Sequence, residues 1–174
     1  LTTLPILPST LETLYCSNNQ LTSLPNLPDT LEDLDCDNNQ LTSLPILPST
    51  LKILYCFDNR LTTLPNLPST LKKLYCSTNQ LTTLPELPDT LETLGCSNNR
   101  LTSLPNLPNT LKVLYCTNND FTNTESIFID SNNNVIVKQN DMFFSGCCCN
   151  KTTTEAKELC LEHGYNEAIE YFSL

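Results

Sequence analysis

Leu21-Thr22-Ser23-Leu24-Pro25-Asn26-Leu27-Pro28-Asp29-Thr30-Leu31-Glu32-Asp33-Leu34-Asp35-Cys36-Asp37-Asn38-Asn39-Gln40 runs without a gap into Leu41-Thr42-Ser43-Leu44-Pro45, and the same ruler of twenty spans six rows from Leu1 to Asp120. Eleven of the twenty positions hold one residue in every row: Leu at 1, 4, 7, 11 and 14, Pro at 5 and 8, Thr at 2 and 10, Cys at 16, Asn at 19. A unit this short cannot bury its apolar residues alone. Stacked on its neighbours it can, so the ruler predicts a solenoid with one coil per row.

Two prolines in each row remove backbone donors and fix φ, which leaves no room for a helix of more than a few residues. Positions 1 to 8, as in Leu1-Thr2-Thr3-Leu4-Pro5-Ile6-Leu7-Pro8, space Leu by three and suit an extended, polyproline-like path with one apolar face turned inward. Positions 13 to 17 change period. Leu14 and Cys16 point one way and residues 13, 15 and 17 the other, the alternation of a strand. Six such strands at ~4.8 Å give a parallel sheet about 24 Å across. The asparagines Asn19, Asn39, Asn59, Asn79, Asn99 and Asn119 follow the strands, where an inward amide ladder can satisfy main-chain groups that the turning chain strands.

The string Leu11-x-x-Leu14-x-Cys16-x-x-Asn19-x-Leu21-x-x-Leu24-Pro25-x-Leu27-Pro28 resembles the leucine-rich repeat in its short form with a double-proline convex side. That form is similar to the arrays of secreted bacterial effectors and of giant viruses of amoebae. The resemblance covers 1–120 and departs from the usual pattern at position 16, where Cys stands for the second strand Leu and packs as a small hydrophobe. It implies a parallel sheet on the concave face and a protein-interaction scaffold. Some effector relatives carry in addition a separate ubiquitin-ligase domain with a Cys-x-Asp signature. Residues 121–174 are too few for that domain and lack the signature, and His163 is the sole histidine of the chain, so no enzymatic activity and no cofactor are expected.

Charge and length set further bounds on this chain of 174 residues. A net charge of −10 and an isoelectric point near 4.3 argue against nucleic acid or an anionic membrane as partner, since both reward basic patches. No stretch approaches the roughly 18 consecutive apolar residues of a membrane helix. The chain opens at Leu1, without Met and within the periodic pattern, which leads us to expect that the natural protein extends upstream and that an N-terminal cap is missing here. Cys16, Cys36, Cys56, Cys76, Cys96 and Cys116 fall in one column whose side chains share a direction, a poor geometry for disulfides. Unpaired thiols in such number imply a reducing, cytoplasmic setting, the host cytosol for an effector or viral protein, and a monomer is expected.

After Asp120 the ruler breaks. Residues 121–174 are expected to form a small α+β cap over the last coil. Ile127-Phe128-Ile129 and Val135-Ile136-Val137 flank a polar turn and predict a β-hairpin. Thr152-x-x-Glu155 opens a helix that Gly164 ends, and Tyr165, Ala168, Ile169 and Phe172 mark a second. Cys147, Cys148 and Cys149 together with Cys160-x-x-His163 offer an alternative reading, a structural repeat protein with a zinc-stabilised cap and no single partner.

Function is sought where the fold leaves side chains free, on the outward positions of the strands. Position 15 reads Tyr15, Asp35, Tyr55, Tyr75, Gly95 and Tyr115. Exposed tyrosines supply amphipathic contact area at low entropic cost. Asp33, Asp35 and Asp37 place carboxylates on one strand face, Ile53, Tyr55 and Phe57 lie on the next, and Lys73 follows beside Tyr75. These ten residues, from Tyr15 to Tyr115, are the expected partner-binding surface. Alternate carboxylates on a flat strand lie nearly 7 Å apart, too far for a calcium shell at ~2.4 Å, so no metal is assigned to them.

Overall fold

The computed structural model describes residues 1–116 and 118–121, and beyond them the backbone of three strands. Each row contributes one strand: β1 (Thr13–Tyr15), β2 (Asp33–Asp35), β3 (Ile53–Tyr55), β4 (Lys73–Tyr75), β5 (Thr93–Gly95) and β6 (Val113–Tyr115). They form a single six-stranded parallel sheet in sequence order. The register shift is one repeat, so Leu34 lies opposite Leu54 and Tyr55 opposite Tyr75. Parallel pairing outlasts the strands themselves. Cys36 N–H donates to the Tyr55 carbonyl at 2.9 Å and Asn38 N–H to the Phe57 carbonyl at 3.1 Å.

The strands stop because the backbone at repeat position 18 turns left-handed. Asn18, Asn38, Asp58, Thr78, Asn98 and Asn118 all have φ between 51° and 57°. Asn and Asp tolerate this conformation better than other non-glycine residues, whereas a β-branched residue is strained in it. Thr78 is therefore the outlier of the column. The backbone at position 18 thus serves as the corner of each coil.

The asparagine ladder forms as expected from the sequence. Asn39 Nδ2 donates to the carbonyls of Cys16 at 3.0 Å, Cys36 at 3.1 Å and Asp37 at 3.0 Å, and its Oδ1 accepts the Leu21 N–H at 3.0 Å. Asn59 and Asn99 repeat this pattern one and three coils on. One buried amide thereby ties two coils and the corner between them.

A second ladder, which the invariant Thr at position 10 supplies, had no role in the sequence reading. Thr30 Oγ1 lies 3.0 Å from the Ser9 carbonyl and 2.8 Å from the Leu11 carbonyl, and its hydroxyl donates between them. Thr50, Thr70, Thr90 and Thr110 do the same. Each sits within a reverse turn, as where Leu31 N–H reaches back across Thr30 to the Pro28 carbonyl at 3.1 Å. The convex side between the corners carries no helix in the described array, as two prolines per row require.

The core is a set of columns. Leu21, Leu31, Leu34 and Cys36, with their equivalents through the fifth coil, are fully buried, and the leucines at positions 4 and 7 pack against them. Burial of this depth is worth roughly 1.5–3 kcal/mol for each leucine. In the first coil the same columns are uncovered on one side: Leu1 is 74% exposed and Leu4, Leu11 and Leu14 are half-buried. The contrast shows how completely each coil depends on the next.

Beyond the array, β7 (Ile127–Ile129) pairs antiparallel with β8 (Val135–Gln139), Ile127 opposite Val137, and β8 pairs with β9 (Met142–Ser145). The two expected helices, and the Cys147, Cys148, Cys149, Cys160 and His163 cluster, lie outside the described residues. Among the described residues no helix is long and apolar enough to cross a membrane.

Candidate interaction face

Alternation on β1–β6 sends Leu and Cys inward and positions 13, 15 and 17 outward, so the sheet carries three outward columns. In register these read Thr13, Asp33, Ile53, Lys73, Thr93, Val113 and, beside them, Tyr15, Asp35, Tyr55, Tyr75, Gly95, Tyr115. The third column includes Asp37 and Phe57. The face changes chemistry from coil to coil while the interior does not.

Its aromatic part is pre-organised. The rings of Tyr55 and Tyr75 stack with centroids 5.0 Å apart and planes 8° from parallel. Tyr75 then leans over the following coil, which has room because residue 95 is glycine: a Cβ there would stand 2.9 Å from Tyr75 Cδ1. A side chain at 95 would force the ring to move. Gly95 is thus a seat for the stack, a role the sequence did not reveal because no period or motif marks it. Tyr15 and Tyr115, at opposite ends of the column, are 69% and 49% exposed.

The acidic part divides into two kinds of carboxylate. Asp33 and Asp35 are half-buried on β2. Tyr15 O–H donates to Asp33 Oδ2 at 3.3 Å, while Asp33 Oδ1 has no hydrogen-bond partner. Burial raises the Asp33 carboxyl above the ordinary range, opposed by the Tyr15 hydroxyl. The same Asp33 charge holds the Tyr15 phenol above its usual value.

Asp37 is different. It is only 5% exposed, and its Oδ1 accepts the Phe57 N–H at 2.7 Å. Burial pushes its carboxyl up to about 7, the Phe57 N–H opposing and the charges of Asp35 and Asp58 adding. The structure therefore turns Asp37 toward the backbone of the next coil, whereas the sequence reading had grouped it with the outward carboxylates. Among the described residues, no group of three or more His, Cys, Asp or Glu side chains is arranged to hold a metal ion.

Lys73 is exposed and stands two strands from Asp33, a distance of about 9.6 Å at ordinary strand spacing. It acts on Asp33 through the field alone. Along the neighbouring position 12, by contrast, acid and base meet: Lys52 Nζ reaches Glu32 Oε2 at 2.7 Å and Lys112 Nζ reaches Glu92 Oε2 at 2.7 Å. The flank of the sheet is charge-compensated and the acidic strand beside it is not.

The thiols behind this face are enclosed by the core. Cys16, Cys36, Cys56, Cys76, Cys96 and Cys116 are buried, and none forms a disulfide among the described residues. Burial pushes the Cys16 thiol up to about 11 and the Cys76 thiol up to about 12, whereas a nucleophilic cysteine needs a depressed value. Cys56-Phe57-Asp58 does carry a Cys-x-Asp spacing, but the Cys56 side chain is fully enclosed and held well above its usual value by that burial.

With this geometry in hand, comparison with known proteins is informative. The family model for leucine-rich repeats (two copies) matches residues 9–49 and again 49–89. YopM from Yersinia enterocolitica is similar at 41% identity and a TM-score of 0.67, over 68% of this chain and 26% of that one. The leucine-rich effector YopM from Yersinia pestis is similar at 43% identity and a TM-score of 0.67, over 68% and 35% of the two chains. A Shigella effector leucine-rich repeat domain is 46% identical with a TM-score of 0.64, over 65% of this chain and 52% of that domain. The chain thus spans between about a quarter and a half of the length of these structures. No curated protein matches it.

Proposed function

We propose, from the premise that this chain is a leucine-rich repeat protein of the short, effector-like kind, that it is a protein-interaction scaffold whose concave sheet face binds a protein partner. The observation that carries the reading is the outward column of tyrosines, with Tyr55 and Tyr75 stacked, seated on Gly95 and flanked by uncompensated carboxylates. A sheet stabilised for its own sake gains cross-strand pairs anywhere along it. Rigid aromatic groups beside fixed charges are the composition of a binding surface. Tyr15, Asp33, Asp35, Ile53, Tyr55, Phe57, Lys73, Tyr75 and Tyr115 form the contact set, and Asp37 supports it from beneath through the Phe57 N–H.

In this reading the protein is not an enzyme. The buried thiols of the array support that, and they support action in a reducing compartment, the host cytosol. The test is a comparison of proteins retained from host lysate by wild type and by the Tyr55→Ala plus Phe57→Ala variant. Loss of specific bands is expected. An unchanged set of captured proteins would remove the concave face as the site.

A further inference from the structure

The concave face holds charge that the molecule itself does not neutralise. On β2, Asp33 and Asp35 follow one another outward, yet neither has an ion pair with a described residue; the two ion pairs found there lie along position 12. Asp33 Oδ1 is enclosed and has no hydrogen-bond partner, Asp33 Oδ2 accepts the Tyr15 O–H, and Asp35 Oδ1 accepts the Asp37 N–H at 3.2 Å, so neither carboxylate meets a cation of its own. The nearest outward cation in this column is Lys73, with Ile53 intervening. On both sides of the carboxylates stand aromatic faces: Tyr15 on β1, bonded to Asp33, and Tyr55 on β3, opposite Asp35 in register.

We infer that the partner places an arginine side chain over Asp33 and Asp35, its guanidinium bonded to the carboxylates and its plane laid against Tyr15 or Tyr55. This rests on the scaffold reading above and names the chemistry of its partner. Arginine rather than lysine follows from the surroundings. A planar fork donates to two carboxylates at once and stacks on an aromatic ring, whereas an ammonium is a compact, strongly hydrated point charge that does neither well. Ile53 and Phe57, half-buried on the next strand, then receive an apolar residue of the same segment. Neighbouring strands are about 4.8 Å apart and alternate residues of an extended segment nearly 7 Å, so a segment crossing the sheet obliquely brings an arginine and an apolar side chain two residues along it over adjacent coils.

The probe is a displayed library of random dodecapeptides selected on the full-length chain, with selected peptides remade and titrated by fluorescence anisotropy. The expected result is an arginine common to the selected peptides, with its replacement by lysine weakening binding about tenfold, the worth of one good charge-assisted contact. Asp33→Asn plus Asp35→Asn is expected to weaken the same peptides by tenfold or more while leaving the melting temperature within a few degrees of wild type. Affinity is also expected to fall as salt rises.

Three outcomes overturn the inference. Peptides without a basic residue, or lysine serving as well as arginine, would remove the arginine assignment. Binding abolished by Tyr55→Ala plus Phe57→Ala but indifferent to both aspartate changes would leave the scaffold reading standing and this one fallen. Selected peptides indifferent to every concave-face substitution would end both.

Discussion

Leu54 and Tyr55 are adjacent residues of one strand, and the columns they belong to follow opposite rules. The Leu54 column is leucine in every coil and closed to solvent from the second coil onward; the Tyr55 column changes at most steps and stays open at both ends. Sameness on the inside is what allows coils to stack in register, since each bond to a neighbour meets the same chemistry again. Variation on the outside costs the stack little and is the only place where one coil differs from the next. Fold and surface chemistry are thus written on alternate residues of the same backbone.

The comparison is broken most directly from the inside. Asn59→Ala leaves the Leu41 N–H and three carbonyls without their amide partner, and Leu54→Ala opens a cavity in a closed column. Each is expected to cost on the order of 3 kcal/mol in urea unfolding. Tyr55→Ala, one residue from Leu54, is expected to cost about 1 kcal/mol, the worth of one aromatic pair. Equal losses at 54 and 55 would contradict the division drawn here.

The next effect concerns Asp37, an outward position that the structure has drawn in. Its carboxyl titrates at about 7 in the fold, against about 3.9 in an unfolded chain. Between those values the folded state holds more protons than the unfolded state, so this group's contribution is fully present below about pH 4 and is lost as pH rises through about 7. Asp37→Asn keeps an acceptor for Phe57 N–H and removes the charge. Relative to wild type it is expected to gain about 1–2 kcal/mol at pH 8, reduced from the full linkage value by solvent screening, and nothing near pH 4. Urea midpoints of the two proteins across that range provide the check, and parallel curves would refute it.

A smaller gain is expected at the corner. Thr78 is the β-branched residue in a left-handed column otherwise made of Asn and Asp, and Thr78→Asn should raise stability by about 0.5–1 kcal/mol, read as a melting-temperature increase of a few degrees. The smallest effect belongs to the exposed pair on the flank. Lys52→Gln removes the contact with Glu32 and should cost less than about 0.5 kcal/mol, shrinking further in salt.

What could be read from the chain divides along the same line. The coil, the strand positions, the parallel register, the buried cysteines and the asparagine ladder all follow from residues that recur at a fixed interval, because recurrence is itself the signal of stacking. The corner at position 18 escaped because Asn, Asp and Thr there look like ordinary surface residues; only the dihedral angle distinguishes them. The Thr ladder was visible as an invariant column, but a hydroxyl gives no sign in sequence of which carbonyls it will meet. Asp37 and Gly95 were opaque for a further reason. The direction of a single carboxylate and the lean of a single ring are decided by one neighbour in three dimensions, and such particulars have no period.

The asparagine amides have a consequence at the level of the gene. Each spans only from its own coil to the adjacent one, so an in-frame deletion of residues 41–60 would join Gln40 to Leu61 and present every severed bond with a substitute of identical type. Twenty residues gained or lost at that seam are therefore expected to yield a shorter or longer stack of coils rather than a broken one, with a changed order of residues on its outward face. A change in the number of coils would re-order the outward columns while each amide still met a carbonyl of the same kind.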